Sequence, residues 1–332
     1  MQHELTIKQP IGVVVIGRNE GERLIRCLRS VVGYVDTIVY VDSGSTDNSV
    51  EDASELGVEV VALDLEIPFT AARARNEGFF HLIKVSPHLK FVQFVDGDCE
   101  IVPDWLGTAA TFLENNQTIA VACGRRRERF PENSIYNLMC DIEWNTPIGE
   151  AKACGGDALM RVDAFKAVGG YRNQLIAGEE PEMCVRLRGQ GWKVWRIDAE
   201  MTLHDAAMTK FRQWWRRSMR SGYAFAEGAS LHGNLPERHW VKESRRAWVW
   251  GLLIPVFGLL LASISCIYIL MIPMAYLLQV LRIAVRNKHL KSTHPWTIAF
   301  FMVLGKFPEM VGQVKFLYQK IIGKSGKLIE YK

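Results

Sequence analysis

A chain of 332 residues, 48% hydrophobic and 23% charged with a formal net charge of +4, has room for one large domain with an appendage or two modest domains. That is ordinary globular composition, and the mild charge gives no reason to expect a nucleic-acid partner. Seven scattered cysteines with no C-x-x-C pair read as reduced thiols, which excludes a disulfide framework or a zinc site. The opening MQHELTIKQP lacks an apolar run, so no signal peptide is expected and the globular part is expected to stay on the cytoplasmic side.

From residue 11 the pattern alternates strand and helix, which predicts a parallel sheet covered by helices. A strand at 13–16 runs into Arg18-Asn19-Glu20 and a helix whose apolar face is Leu24, Leu28, Val31 and Val32. A second strand, 37–41, ends at Asp42. SGSTDN then supplies turn and N-cap chemistry before a helix at 50–56 that stops at Gly57. A third strand at 58–63, a helix at 71–83 carrying Arg73, Arg75 and Asn76, and a fourth strand at 91–95 follow. The fourth strand is rich in aromatic and β-branched residues and runs straight into Asp96-Gly97-Asp98, where Gly97 is expected to let the backbone turn sharply. Two carboxylates at a strand's C-terminal end suit Mg2+ or Mn2+ carrying a substrate's phosphates; the plainer alternative is a β-turn. The polar residues gather at the rim where open α/β sheets bind ligands.

Beyond Pro103 come a helix at 104–114, a strand at 119–123 and a basic loop at 125–129. A Gly-rich turn, Cys154-Gly155-Gly156-Asp157, precedes a strand-like run, and Gly178-Glu179-Glu180 opens a helix at 181–188 with Pro and acids in its first turn. Residues 247–285 hold one charge, Arg282, over about 39 positions, the length of two spans of roughly 20. A hairpin turning near Ser263 and Ser265 is expected. Arg245 and Arg246 before it and Arg282, Arg286, Lys288 and Lys291 at its far end put both ends on the cytoplasmic side. Residues 296–322 read as interfacial or re-entrant helices, and FRQWWRRSMR at 211–220 suits a headgroup layer or a soluble amphipathic helix.

The ordered set Arg18-Asn19-Glu20, VDSGSTDNS, Arg75-Asn76, Asp96-Gly97-Asp98, GGYR at 169–172 and GEEPEM at 178–183 resembles the family 2 glycosyltransferases. The resemblance runs from about 11 to 226. It implies an α/β fold of the GT-A type over residues 1–226, followed by an α-helical membrane-associated region over 227–332. It further implies an inverting enzyme that moves a sugar from a nucleotide-diphosphate donor, UDP-linked in the family's usual case, with Mn2+ or Mg2+ as cofactor.

On this resemblance Ile16, Arg18, Glu20, Asp42, Arg75, Asp96 and Gly97 surround the nucleotide sugar, and Asp98, Asp96 and His204 hold the metal. Each has a structural alternative: Asp42 as an N-cap, Glu20 as helix N-terminal charge, Arg75 in a local salt bridge. Glu180 matches the family's base, one methylene longer than the usual aspartate, with Glu179 or Asp157 as other candidates for the functional acid. Arg216, Arg217, Arg245 and Arg246 are candidates for lipid or acceptor phosphates. QWWR at 213–216 departs from the Q-x-x-R-W of processive synthases, so a single-sugar transfer to a lipid-linked acceptor is expected. Polyprenyl phosphate as acceptor, and a non-catalytic nucleotide-sugar-binding scaffold, are the rival readings.

Overall fold

The computed structural model describes residues 10–286, 294–323, 326 and 329; the N-terminal nonapeptide, Lys288 and Lys291, all used above, lie outside the described residues. The chain divides into two compact units, Met1–Ala207 and Met208–Lys332. The division falls before the expected boundary at 226, because the helix Phe211–His232 packs within the second unit.

In the first unit a mixed sheet is built from β1 (Ile11–Gly17), β2 (Thr37–Asp42), β3 (Glu59–Ala62), β4 (Phe91–Asp96), β5 (Cys99–Ile101), β6 (Ile119–Glu128), β7 (Gly149–Ala151), β8 (Ala158–Arg161) and β9 (Lys193–His204). Its order is β3-β2-β1-β4-β8-β6-β9-β5, with β7 also on β9. The first four strands are parallel, as the alternating pattern predicts, and β8 then enters antiparallel beside β4. Val13, Val14 and Val15 are fully buried, so β1 is covered on both faces, as a central parallel strand must be. Register places Gly17 beside Asp42 and Ile16 beside Asp96, which brings the three loops that follow β1, β2 and β4 to one rim.

Helices α1 (Glu22–Arg29), α2 (Ser49–Glu55), α3 (Ala71–Val85), α4 (Trp105–Asn115), α5 (Ile135–Trp144), α6 (Val162–Ala167) and α7 (Glu179–Gly189) flank this sheet. Thr70 caps α3 by accepting from the Arg73 amide at 3.0 Å. The basic stretch expected as a loop is instead the end of β6, where Arg125 to Glu128 pair with Glu200 to His204 of β9. Cross-strand pairing of Arg127 with Glu200 at 2.6 Å gives this polar run a reason to extend.

In the second unit α8 (Phe211–His232) and α13 (Lys306–Ile321) cross at two glycines. A Cβ on Gly222 would lie 1.9 Å from the Glu309 carbonyl oxygen, and one on Gly312 would lie 2.0 Å from that of Met219. Gln313 is fully buried and trades hydrogen bonds with Ser244 of α9 (Val241–Trp248). The segment 306–321 thus packs against α8 and α9, while Val314, Leu317, Tyr318 and Ile321 stay exposed. Two apolar stretches long enough to cross a bilayer, Val241–Ala262 and Cys266–Arg286, are separated at Ser263 to Ser265, where the hairpin turn is expected. The first begins before the predicted 247, so exposed Arg245 and Arg246 sit in its opening turns.

Candidate functional site

Arg75 organises the rim. Its guanidinium, 3% exposed, donates to Glu179 Oε1 at 2.8 Å and Asp96 Oδ1 at 2.7 Å, and lies 3.2 Å from Glu180 Oε1. Three elements therefore converge on one cation: α3 supplies Arg75, β4 supplies Asp96, and the first turn of α7 supplies both glutamates. Gly156 makes the convergence possible, since a Cβ there would fall 2.6 Å from Arg75 Nη2 and 2.9 Å from Asp96 Oδ2. Gly178 precedes α7 at φ 79, a left-handed conformation suited to glycine, and starts the helix where its acids face inward.

The two glutamates differ. Glu179 is 3% exposed and held by Arg75, whereas the Glu180 side chain is 14% exposed. Burial, and next the neighbouring Glu179 charge, raise Glu180 to about pKa 7 against the lowering effect of Arg75. Glu180 is thus the carboxylate with both access and a proton affinity suited to exchange near neutrality.

Asp157 does not face an acceptor. It is fully buried, accepting from the Asp96 amide at 3.1 Å and the Thr202 hydroxyl at 2.7 Å, and it lies 3.3 Å from Arg126 Nε. It fixes the end of β4 and has no face for a substrate hydroxyl. Arg126 is a component absent from the sequence reading. Its Nη2 reaches Asp96 Oδ2 and Cys99 Sγ, both at 3.1 Å, and the guanidinium lies 4.9 Å from the Trp144 ring centroid. Its placement in a strand, with its side chain turned to the rim, was the missing signal.

Among the described residues, two groupings have metal-ligand spacing: Asp96, Cys99 and Asp157, and Asp98, Cys99 and His204. Arg126 already sits among the first three. The second is the better fit. Asp98 Oδ2 and His204 Nε2 are 3.3 Å apart, close to the roughly 3 Å between adjacent ligands on an octahedral ion with bonds of about 2.1 Å. Burial and then Arg126 lower the His204 pKa, which keeps the ring neutral and able to ligate, while burial pushes the Cys99 thiol well up and keeps it from acting as a thiolate. Asp96, expected as a second ligand, has its oxygens on Arg75 and Arg126 instead.

The remaining residues frame the cleft. Asp42 accepts from the Tyr40 hydroxyl and from the Gly44 and Ser45 amides, all at 2.9 Å, so its carboxylate shapes the β2 loop as well as facing the rim. Asn19, at φ 55, ties that loop to β1: its amide donates to Ser45 Oγ at 2.9 Å and its Oδ1 accepts from the Thr46 amide at 2.7 Å. Glu20 pairs with Arg23 at 2.8 Å, and Arg18 lies over the Phe69 ring at 5.8 Å. The Ile16 carbonyl accepts from the Gly97 amide at 2.8 Å. Gly97 is not at positive φ; its surroundings are tight, and a Cβ there would lie 3.2 Å from the Ile16 oxygen. Arg216 and Arg217 on α8 are half-buried in the second unit.

Comparison with known proteins bears on the family and the fold. The description glycosyl transferase family 2 matches residues 12–169. The succinoglycan biosynthesis protein ExoA of Rhizobium meliloti is 32% identical over 189 residues, covering 53% of this chain and 56% of that protein, so the match spans little more than half the relative's length. An uncharacterized glycosyltransferase of Rickettsia felis is 40% identical over 53 residues, 16% of this chain and 19% of that one. The mannosyltransferase PcManGT from Pyrobaculum calidifontis, solved in complex with GDP-Man and Mn2+, superposes with a TM-score of 0.64 at 17% identity, covering 94% of this chain and 88% of that one. At that identity the likeness is one of fold. It bears out the expected α/β GT-A architecture followed by C-terminal helices.

Proposed function

Residues 12–169 are a family 2 glycosyltransferase domain on a GT-A fold, and on that premise we propose that the chain transfers one sugar, with inversion, from a nucleotide-diphosphate donor to a lipid-linked acceptor during surface polysaccharide assembly. The observation that carries this reading is the Arg75 cluster, which sets a slightly exposed Glu180 beside Asp96 at the rim where β1, β2 and β4 end. In the proposed step Glu180 takes the acceptor hydroxyl proton as the acceptor oxygen bonds to the anomeric carbon. The bond from that carbon to the diphosphate oxygen breaks, and the nucleoside diphosphate leaves with the electron pair.

Asp98 and His204 are the residues to hold a divalent ion, which when bound neutralises the leaving diphosphate. Arg126 adds a fixed positive charge beside Asp96 on the same side. Asp42, Arg18 and Glu20 line the nucleotide end, and Asp157 and Glu179 hold the geometry.

Membrane attachment is supported by the exposed apolar faces of the two long helical stretches: Phe257, Leu260, Leu277 and Leu278 are among their exposed residues. The similarity to a succinoglycan biosynthesis protein supports the pathway class. We place the catalytic unit at the cytoplasmic face of the inner membrane, with Arg216, Arg217, Arg245 and Arg246 available to lipid phosphates.

The test uses the full chain in acceptor-containing membranes with UDP-sugars and GDP-sugars, with and without Mn2+. Divalent-dependent release of one nucleoside diphosphate with sugar recovered in the lipid fraction is expected, and Asp98→Ala abolishes it. Undiminished turnover by Asp98→Ala would sink the ion assignment, and donor binding with no transfer to any lipid would sink the enzyme.

A further inference from the structure

His204 stands between two carboxylates: Glu128 at the end of β6 and Asp98 in the turn just before β5, the strands on either side of β9. Register places Glu128 of β6 opposite it on one side and Cys99, next to Asp98, opposite it on the other. The Nε2 atom lies 3.3 Å from Asp98 Oδ2 and Nδ1 lies 3.5 Å from Glu128 Oε2. Glu128 is 4% exposed and firmly oriented: Oε2 accepts from the Ala206 amide at 3.1 Å, while Oε1 accepts from Asn137 Nδ2 at 3.1 Å and the Phe130 amide at 3.2 Å. Each of those partners is a donor, so Glu128 presents acceptors only. Carboxylates stand on both sides of the ring, and buried Nδ1 makes no close hydrogen bond, so a cation is what would select the tautomer: an ion between Nε2 and Asp98 needs the Nε2 lone pair, which leaves the proton on Nδ1 facing Glu128. The Trp144 ring, edge-on at 4.7 Å between centroids, packs against the imidazole and limits its rotation.

We propose that Glu128 is a positioning residue that holds His204 as the Nδ1–H tautomer, so that Nε2 and Asp98 face a shared divalent cation. Outer carboxylates that orient a ligating histidine change metal affinity by about 10–100-fold when removed. The proposal rests on the reading of Asp98 and His204 as ion ligands, and extends it to a residue that does not touch the ion.

The test uses the full chain in detergent, labelled with 15N-histidine, the His204 signals being identified by their loss in His204→Gln. With diamagnetic Mg2+ bound, wild-type protein is expected to show protonated Nδ1 and an unprotonated Nε2, and Mn2+ binding is followed by electron paramagnetic resonance without any substrate. In Glu128→Gln an amide NH2 replaces an acceptor beside the ring, and the Mn2+ Kd rises about 10–100-fold. Glu128→Asp retains the acceptor and recovers part of that affinity. A Mg2+-bound wild-type ring protonated at Nε2, or a folded Glu128→Gln with unchanged Mn2+ Kd, overturns the proposal. Wild-type protein that binds neither ion overturns the ion assignment itself.

Discussion

The two units break opposite rules of soluble proteins. The first buries charge: Arg75, Asp157 and Glu179 are 2%, 0% and 3% exposed, at a desolvation cost offset by close pairing. The second exposes apolar surface, with Phe257, Leu260 and Leu277 each more than 60% open. The proposed function gives each departure a use: a cluster of acids and arginines at the rim suits a charged ligand, and a broad apolar face suits hydrocarbon.

The comparison can be broken at either end. Arg75→Met leaves Asp96, Glu179 and Glu180 without their shared cation, and breaking a buried pair in this way costs about 3–5 kcal/mol. The expected result is a large fall in the unfolding midpoint of the first unit together with loss of transfer; an unchanged midpoint would show that the cluster is not what holds the rim. Leu260→Lys puts a charge into the hairpin at a cost of about 2.5–3.5 kcal/mol of insertion. Carbonate extraction of membranes should then release more protein, and unchanged retention would mean that this helix is not lipid-facing.

Gly312→Ala forces the α13 backbone away from Met219, an overpacking effect of about 1–3 kcal/mol confined to the second unit. Thermal unfolding monitored in both units should register it in the helices alone. Smallest of all, Arg127→Ala removes an exposed pair with Glu200, worth about 0.2–1 kcal/mol, and chemical denaturation should barely move.

Most of the parallel half was legible because its signals are local. β-branched runs, Gly stops and N-cap residues gave β1 to β4 and their helices within a few residues, and Asp98, His204 and Glu180 came with the motifs around them. What was hidden depends on partners distant in sequence. Arg125 to Glu128 look like a loop until Glu200 to His204 pair with them. Arg126 and Glu128 therefore had no visible reason to belong to the site, and Asp157 looked available to an acceptor until Thr202, on β9, closed over it. Gly97 sits in the turn between β4 and β5 as expected, but without positive φ and in tight surroundings that its local sequence does not reveal. Similarly, Gln213 within QWWR accepts from the Thr209 and Lys210 amides and so serves the start of α8.

The central claim is that Glu180 takes the acceptor proton. Single-turnover transfer measured from pH 5 to 9 tests it most directly. A base must be deprotonated to act, so the wild-type rate should rise tenfold per unit at low pH, bend near pH 7 where burial and Glu179 set the Glu180 pKa, and level above it. Glu180→Gln should lose about 10²–10⁴-fold of the plateau rate and the bend with it, while keeping its affinity for the donor. A Glu180→Gln enzyme that retains both the wild-type rate and the rise toward pH 7 would contradict the account.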